Sequence, residues 1–319
     1  MSLETIDAPM RTHWPAVSPM RVSWMITAAI AIADVAGIAM LGFSVPLIKG
    51  GLIAGIALMM LGLCWIYTVK RPDARIAAAS KATLFLIVFT LVLATLSYLA
   101  CSLGWPLQDE GFEAFDRALG FYWPAHMSFV AERPALANFL LIAYQTSMPQ
   151  VALVILVLVA TQRYERLEQF LLLFAITATV VILSAAAWPS FGAFAVNLPP
   201  SEVLAPISDP YPAAWHMKHF LALRDGSLRE IPLSNFQGLV SFPSFHTALA
   251  LITVWALFPV RWFSAPIYVL NGVLIFSTLA IGGHYLADVI GGAFISLAAI
   301  ALVSRKSVIS RVPVDRSPA

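Results

Sequence analysis

Charge is what this chain of 319 residues has least of: Asp, Glu, Lys and Arg make up 11% of it, against 60% apolar residues. Soluble domains carry roughly 25% charged residues, so a water-surrounded globule is excluded and a lipid-embedded chain is implied. Cysteine is nearly absent. Cys64 and Cys101 fall inside or at the end of apolar runs, which rules out a disulfide framework or a cysteine metal cluster. The first twenty residues are polar and contain proline, without a cleavable signal pattern, so the first apolar run is expected to stay as an anchor. No internal repeat is visible, which counts against folds built from duplicated halves.

What the chain has in quantity is long apolar runs. Each is long enough to cross a hydrocarbon core of roughly 30 Å. They predict eight spans, near 24–44, 50–69, 82–103, 138–160, 169–189, 241–259, 264–282 and 284–304. The fold class expected is therefore all-α: a polytopic membrane helical bundle with both termini cytoplasmic. Its parts would be an N-terminal segment 1–23, a membrane catalytic domain 24–304 and a basic tail 305–319 that looks disordered from Ser304 onward. Such a tail suits anionic lipid at the inner surface.

Orientation follows from the basic residues. With eight spans, Arg11, Arg21, Lys70, Arg71, Arg75, Lys81, Arg163, Arg166, Arg261, Arg305, Lys306, Arg311 and Arg316 share one side. Only Lys49, Arg117, Arg133, Lys218, Arg224 and Arg229 occupy the other. The richer side is read as cytoplasmic. Two long segments, 104–137 and 190–240, then lie outside. The first mixes aromatic with acidic residues and reads as an amphipathic surface helix, or equally as a loop helix packed on the bundle. The second is rich in proline (Pro199, Pro200, Pro206, Pro210, Pro212, Pro232) and could cap a site.

The chemistry concentrates in the last fifth. Ser241-Phe-Pro-Ser-Phe-His246-Thr247 opens span six, and Gly282-Gly-His284-Tyr-Leu-Ala-Asp288 opens span eight. Both spans run from outside to inside, so His246 and His284 share one membrane depth. Positions i and i+4 share a helix face, so Asp288 can hydrogen-bond His284 and ready its other nitrogen for attack. A second histidine, His246, could protonate what leaves. Ionisable groups inside spans are costly and are functional candidates by default. Pro243 suits a first helical turn, where free amides, the helix dipole and hydroxyls of Ser241, Ser244 or Thr247 would seat a phosphate. Gly283 permits close backbone approach. Taken singly, either histidine could merely cap carbonyls; together with Asp288 they suggest phosphoryl chemistry without a metal.

The two motifs resemble the type 2 phosphatidic acid phosphatase superfamily, with the match closest to its inositol phosphorylceramide synthase and sphingomyelin synthase-like branch. Phe115-Asp-Arg-Ala-Leu-Gly120-Phe-Tyr-Trp123-Pro and Leu223-Arg-Asp-Gly226 are similar to bacterial members of that branch. The resemblance implies a phosphohistidine at His284, orientation of that ring by Asp288 and proton transfer by His246, with no metal or other cofactor. It implies a lipid phosphate substrate, a lipid or alcohol acceptor, no nucleic acid, and a bacterial inner membrane with the site facing the periplasm. Two superfamily cations are missing. Cys64 stands where a lysine would precede Arg71-Pro72, and Ser277-Thr278 stands where Ser-Arg would precede the nucleophile. The synthase-like branch lacks that Ser-Arg as well, which favours transfer over hydrolysis.

Charge for the phosphate must then come from elsewhere. Lys218 or Arg224 is expected to replace the clamp, unless both are solvated loop charges; His216 and His219 lie in the same loop. Those two histidines, three apart, would suggest zinc only with a third ligand that the spacing does not offer. Tyr144, Gln145, Ser147 and Gln150 interrupt span four and either line a headgroup pocket or bond neighbouring helices. Asp34 in span one has no partner that the sequence identifies. A plain lipid phosphatase is the nearest alternative. A transporter or scramblase is a more distant one, disfavoured because the ionisable cluster sits at one face.

Overall fold

The computed structural model describes residues 17–199, 204, 212–233 and 236–309. Arg11, Pro200, Pro206, Pro210, Arg311 and Arg316 lie outside the described residues. Each helix starts where its sequence supplies a start signal. Ser18 accepts the Arg21 amide and Pro19 occupies the first position of α1 (Pro19–Leu41). α2 (Gly51–Trp65) is the centre of an apolar stretch running from Leu47 to Lys70. Asp73 caps α3 (Ala74–Cys101) by accepting from the amides of Arg75 and Ile76.

The first outer segment then folds into two short helices, α4 (Asp109–Ala118) and α5 (Trp123–Ala131). α6 (Pro134–Gln145) and α7 (Ser147–Ala160) are two halves of the expected fourth span, bent by 47°. The break falls at Thr146, and Pro149 cannot donate to the carbonyl a turn earlier, which favours a bend there. α8 (Tyr164–Ala187) is one uninterrupted helix of 24 residues. The second outer segment contributes α9 (Ala193–Asn197) and α10 (Met217–Arg224). α11 (Phe245–Leu257), α12 (Arg261–Ala280) and α13 (Leu286–Ile309) complete an all-helical chain among the described residues.

Six helices are long and apolar enough to cross a membrane, and the bent α6–α7 pair makes a seventh. The expected sixth span is shorter than the apolar run suggested. Ser244 caps α11 by accepting the Thr247 amide, so the helix begins at Phe245 and has 13 residues. Ser241 to Pro243 belong to the connecting turn. The last helix, in contrast, runs to Ile309, past Ser304, where disorder was expected.

The main core lies between α3, α7, α8, α11 and α12, around Phe85, Phe89, Phe170 and Leu257. Large apolar side chains such as Ile32, Met40, Trp262 and Phe294 face outward, as helices do when lipid replaces water around them. At one end, a second cluster around Trp123, Leu140 and Tyr285 packs α5 and α6 against the turn between α12 and α13. A third joins Tyr98 to Phe220, Leu223 and Ile231 of the second outer segment. Between these two clusters lies a cavity. At the opposite end, Pro72 shares a cleft with Met20, Lys81 and Tyr164, so the Lys70-Arg71-Pro72 run is remote from that cavity.

Candidate active site

The carboxylate of Asp288 is fully buried in the first turn of α13. Its Oδ2 accepts from three donors: the Ser241 hydroxyl at 2.8 Å, His284 Nδ1 at 3.0 Å and the Tyr285 amide at 3.1 Å. An ionised carboxylate only accepts, so the proton of a neutral His284 sits on Nδ1 and Nε2 carries the lone pair. The His246 ring lies 6.4 Å from that of His284, centroid to centroid, and stacks on Tyr144 at 4.5 Å. Two imidazoles at this separation can both engage one phosphate. One is oriented by a carboxylate, the other by an aromatic face.

Local sequence explains the precision of this arrangement. Gly283 adopts a φ of +67°, and a Cβ there would lie 2.5 Å from that of Phe194. Its carbonyl accepts the Phe194 amide at 3.2 Å, tying the 282–285 turn to α9. A Cβ on Gly292 would lie 2.2 Å from the Ser244 carbonyl oxygen, so only glycine lets α13 approach the start of α11 this closely. The Ser244 amide donates to the Asp288 backbone oxygen at 2.9 Å across the same contact. The two histidines therefore keep a fixed spacing because their helices touch backbone to backbone.

The α4 helix supplies two further carboxylates. Asp116 accepts the Leu286 and Ala287 amides at 2.7 and 2.9 Å, capping α13 from another element. Burial pushes this carboxyl above the usual carboxylate range, while the two amides pull it back. Asp109 accepts from the Ser190 hydroxyl and the amides of Phe191 and Gly192, which fixes the loop over the cavity. Both acids are buried. The helix packs on the bundle through Asp109, Phe112, which stacks on Phe242 at 4.4 Å, and Asp116, while Glu110, Phe115 and Arg117 face outward. Trp123 adds an indole bond to the Leu279 carbonyl at 2.7 Å. These roles for Asp109 and Asp116 were not predicted. The one signal was their position in a segment whose other residues alternate between aromatic and acidic.

The cavity measures about 330 Å³ and is lined by Ser241, His246, Gly283 and His284 on the α11 and α13 side. Tyr144 and Gln145 line it from the α6 end, joined by Ser147 and by His216 of the second outer segment. Four expected substrate contacts stand elsewhere. Ser244 is buried as a helix cap, and Thr247 is buried against Gly292 rather than turned to the cavity. Arg224 donates to the Trp105 carbonyl at 2.7 Å and packs over Phe220, and Lys218 is exposed. Neither cation lines the cavity. Gln150 bonds Asn271 across helices at 2.8 Å, the interhelical alternative of the two readings for the polar residues of span four. His219 bonds the Tyr98 hydroxyl at 3.0 Å. Among the described residues no group of three histidine, cysteine or acidic side chains could hold a metal ion.

A family model described as the PAP2 superfamily matches residues 110–302, more than half of the chain. The match takes in Asp116, the loop over the cavity, both histidines and Asp288. No curated protein and no solved structure matches the chain.

Proposed function

The chain belongs to the PAP2 superfamily, and from that premise we propose that it is a lipid phosphotransferase working through a phosphohistidine. Lipid phosphate chemistry of the phosphatase or phosphotransferase type comes with the superfamily. The finer reading rests on one observation: the Ser241–Asp288–His284 hydrogen-bonded relay opens into the same cavity as His246.

In the first step His284 Nε2 forms a bond to phosphorus as the ester P–O bond to the departing alcohol breaks. His246 supplies the proton that the departing oxygen needs. In the second step an acceptor hydroxyl gives its proton to His246, its oxygen bonds phosphorus and the P–N bond breaks. Asp288 holds the His284 ring throughout and stabilises the positive charge it gains. The group moved is a phosphoryl or a phospho-headgroup, and the acceptor is a lipid or another alcohol. With water as acceptor the same steps give a phosphatase. Transfer is favoured by the absence of the Ser-Arg that simple hydrolases carry, since Ser277 and Thr278 are buried in α12 without a cation. His246 and His284 lie at the end of the bundle that carries Lys49, Arg224 and Arg229, the poorer of the two sets of basic residues. By the positive-inside rule that end faces the exoplasm, the periplasmic face of a bacterial inner membrane.

Mass spectrometry of products tests the reading. Purified protein would be given phospholipid donors with ceramide, diacylglycerol or inositol, beside His284→Ala. A new phospho-headgroup lipid absent with the variant is the expected result. Inorganic phosphate alone would make the protein a phosphatase, and equal turnover by the variant would remove the phosphohistidine.

A further inference from the structure

The cavity has a nucleophile and an acid but no fixed cation for the phosphate: among the described residues neither Lys nor Arg lines it. A phosphate entering it leaves water, and an uncompensated charge out of water is costly. On the reading above, His284 and His246 are committed to attack and proton transfer. The remaining basic side chain on the wall is His216.

His216 is held in place rather than carried on a loose loop. Its Nε2 lies 3.4 Å from the Phe191 carbonyl oxygen, and its ring meets Phe191 and Phe220 edge-on at 6.4 Å. Phe191 in turn stacks on Phe220 at 5.0 Å and donates its amide to Asp109 at 3.0 Å. Burial holds the His216 ring below the ordinary histidine range; the Phe191 carbonyl draws it back up and charge on His284 pushes it down. His284 faces it, and Asp109 lies behind the Phe191–Gly192 loop. On its own helix Lys218 is exposed and His219 is turned to Tyr98. The ring is therefore neutral in the empty cavity near neutral pH, ready to gain a proton when an anion arrives.

We propose that His216 is the phosphate-recognising residue of this site, its imidazolium donating to a non-bridging oxygen of the lipid phosphate while His284 attacks phosphorus. This rests on the phosphotransferase reading and adds the cation that reading lacks. Binding then takes up a proton, so affinity falls as pH rises through the value at which bound His216 deprotonates. A charge-assisted hydrogen bond of this kind is worth about ten- to a hundredfold in binding.

The test uses the full chain in lipid nanodiscs, with phosphatidate and phosphatidylinositol as doubly and singly charged phosphate lipids. Orthovanadate binding, followed by thermal shift, gives a readout independent of turnover. His216→Gln is expected to raise KM about ten- to a hundredfold with kcat within about threefold, and to weaken orthovanadate by a similar factor. His216→Lys should hold KM near the wild-type value and abolish its rise with pH. The proposal is overturned by an unchanged KM in His216→Gln, by a loss of kcat alone, or by equal impairment in both variants. Should His284→Ala turn over either lipid as fast as the wild type, the phosphotransferase reading falls, and the orthovanadate titration still decides the role of His216.

Discussion

Two buried aspartates, Asp34 in α1 and Asp288 in α13, show how differently the two ends of this chain use the same residue. Asp288 gathers three donors on one oxygen, one from the 241 turn and two from the 284 turn. Asp34 is also buried, and Oδ1 of each acid has no hydrogen-bond partner among the described residues, but neither Asp34 oxygen gathers donors as the Asp288 Oδ2 does. The surroundings differ in the same way. α2 buries no residue at all, and the α1–α2 hairpin meets the second outer segment through a Ser44–Arg229 bond and an exposed Lys49–Glu230 pair. The superfamily match begins at residue 110, beyond the hairpin. The difference between the two acids lies in one oxygen: the Asp288 Oδ2 is held by donors from two turns, and Asp34 is held by none among the described residues.

The contrast sharpens first at Asp288. Asp288→Asn keeps the shape but offers an amide where Oδ2 must accept from Nδ1, and so favours the wrong imidazole tautomer. A fall in kcat of about 10⁴-fold is expected, by analogy with the aspartate of hydrolase triads. Retention of more than a tenth of the wild-type rate would mean that Asp288 is not the orienting group. Gly292→Ala comes next. Its methyl would meet the Ser244 carbonyl oxygen at 2.2 Å, forcing α11 from α13 at a cost of about 1–3 kcal/mol by overpacking. Thermal unfolding in nanodiscs should register that loss, and kcat should fall with it because the His246–His284 spacing opens. A stable variant with wild-type kcat would show that the close helix contact does not set the spacing.

How much of this was legible in the sequence depended on whether the signal was local. The helical bundle was, because runs of apolar residues carry their own length requirement. The pairing of His284 with Asp288 was legible from their separation of four, but His284 stands in the turn before α13, and the turn that Asp288 caps, not helix periodicity, closes the contact. Ser241 reaches Asp288 across 47 positions, and Asp116 reaches Leu286 across 170; no periodicity encodes such pairings. At the start of α11 Ser241 lines the cavity and Ser244 does not. The Ser244 hydroxyl oxygen accepts the Thr247 amide and serves as the cap of its own helix. Lys218 and Arg224 were chosen for their charge and their side of the membrane, and neither criterion says which way a side chain turns. Arg224 turned to a carbonyl of the first outer segment.

The smallest effect is expected at the other member of the pair. Replacing Asp34 by leucine removes a carboxylate that the surrounding helices leave with an unmatched oxygen. Insertion of an aspartate at a helix centre costs about 2.5–3.5 kcal/mol relative to lipid-compatible residues, and α1 no longer bears that cost in the variant. Asp34→Leu should therefore unfold at the same temperature as the wild type or higher. Its kcat and KM should be unchanged, because the residue lies on a hairpin that contributes nothing to the cavity lining. A matched pair of measurements, melting temperature and turnover, separates the outcomes. Loss of turnover with the melting temperature intact would make α1 part of the catalytic machinery and dissolve the contrast between the two acids. A lowered melting temperature with intact turnover would mean that Asp34 has found a structural partner, and the hairpin would then be a load-sharing part of the bundle rather than its lipid-facing flank.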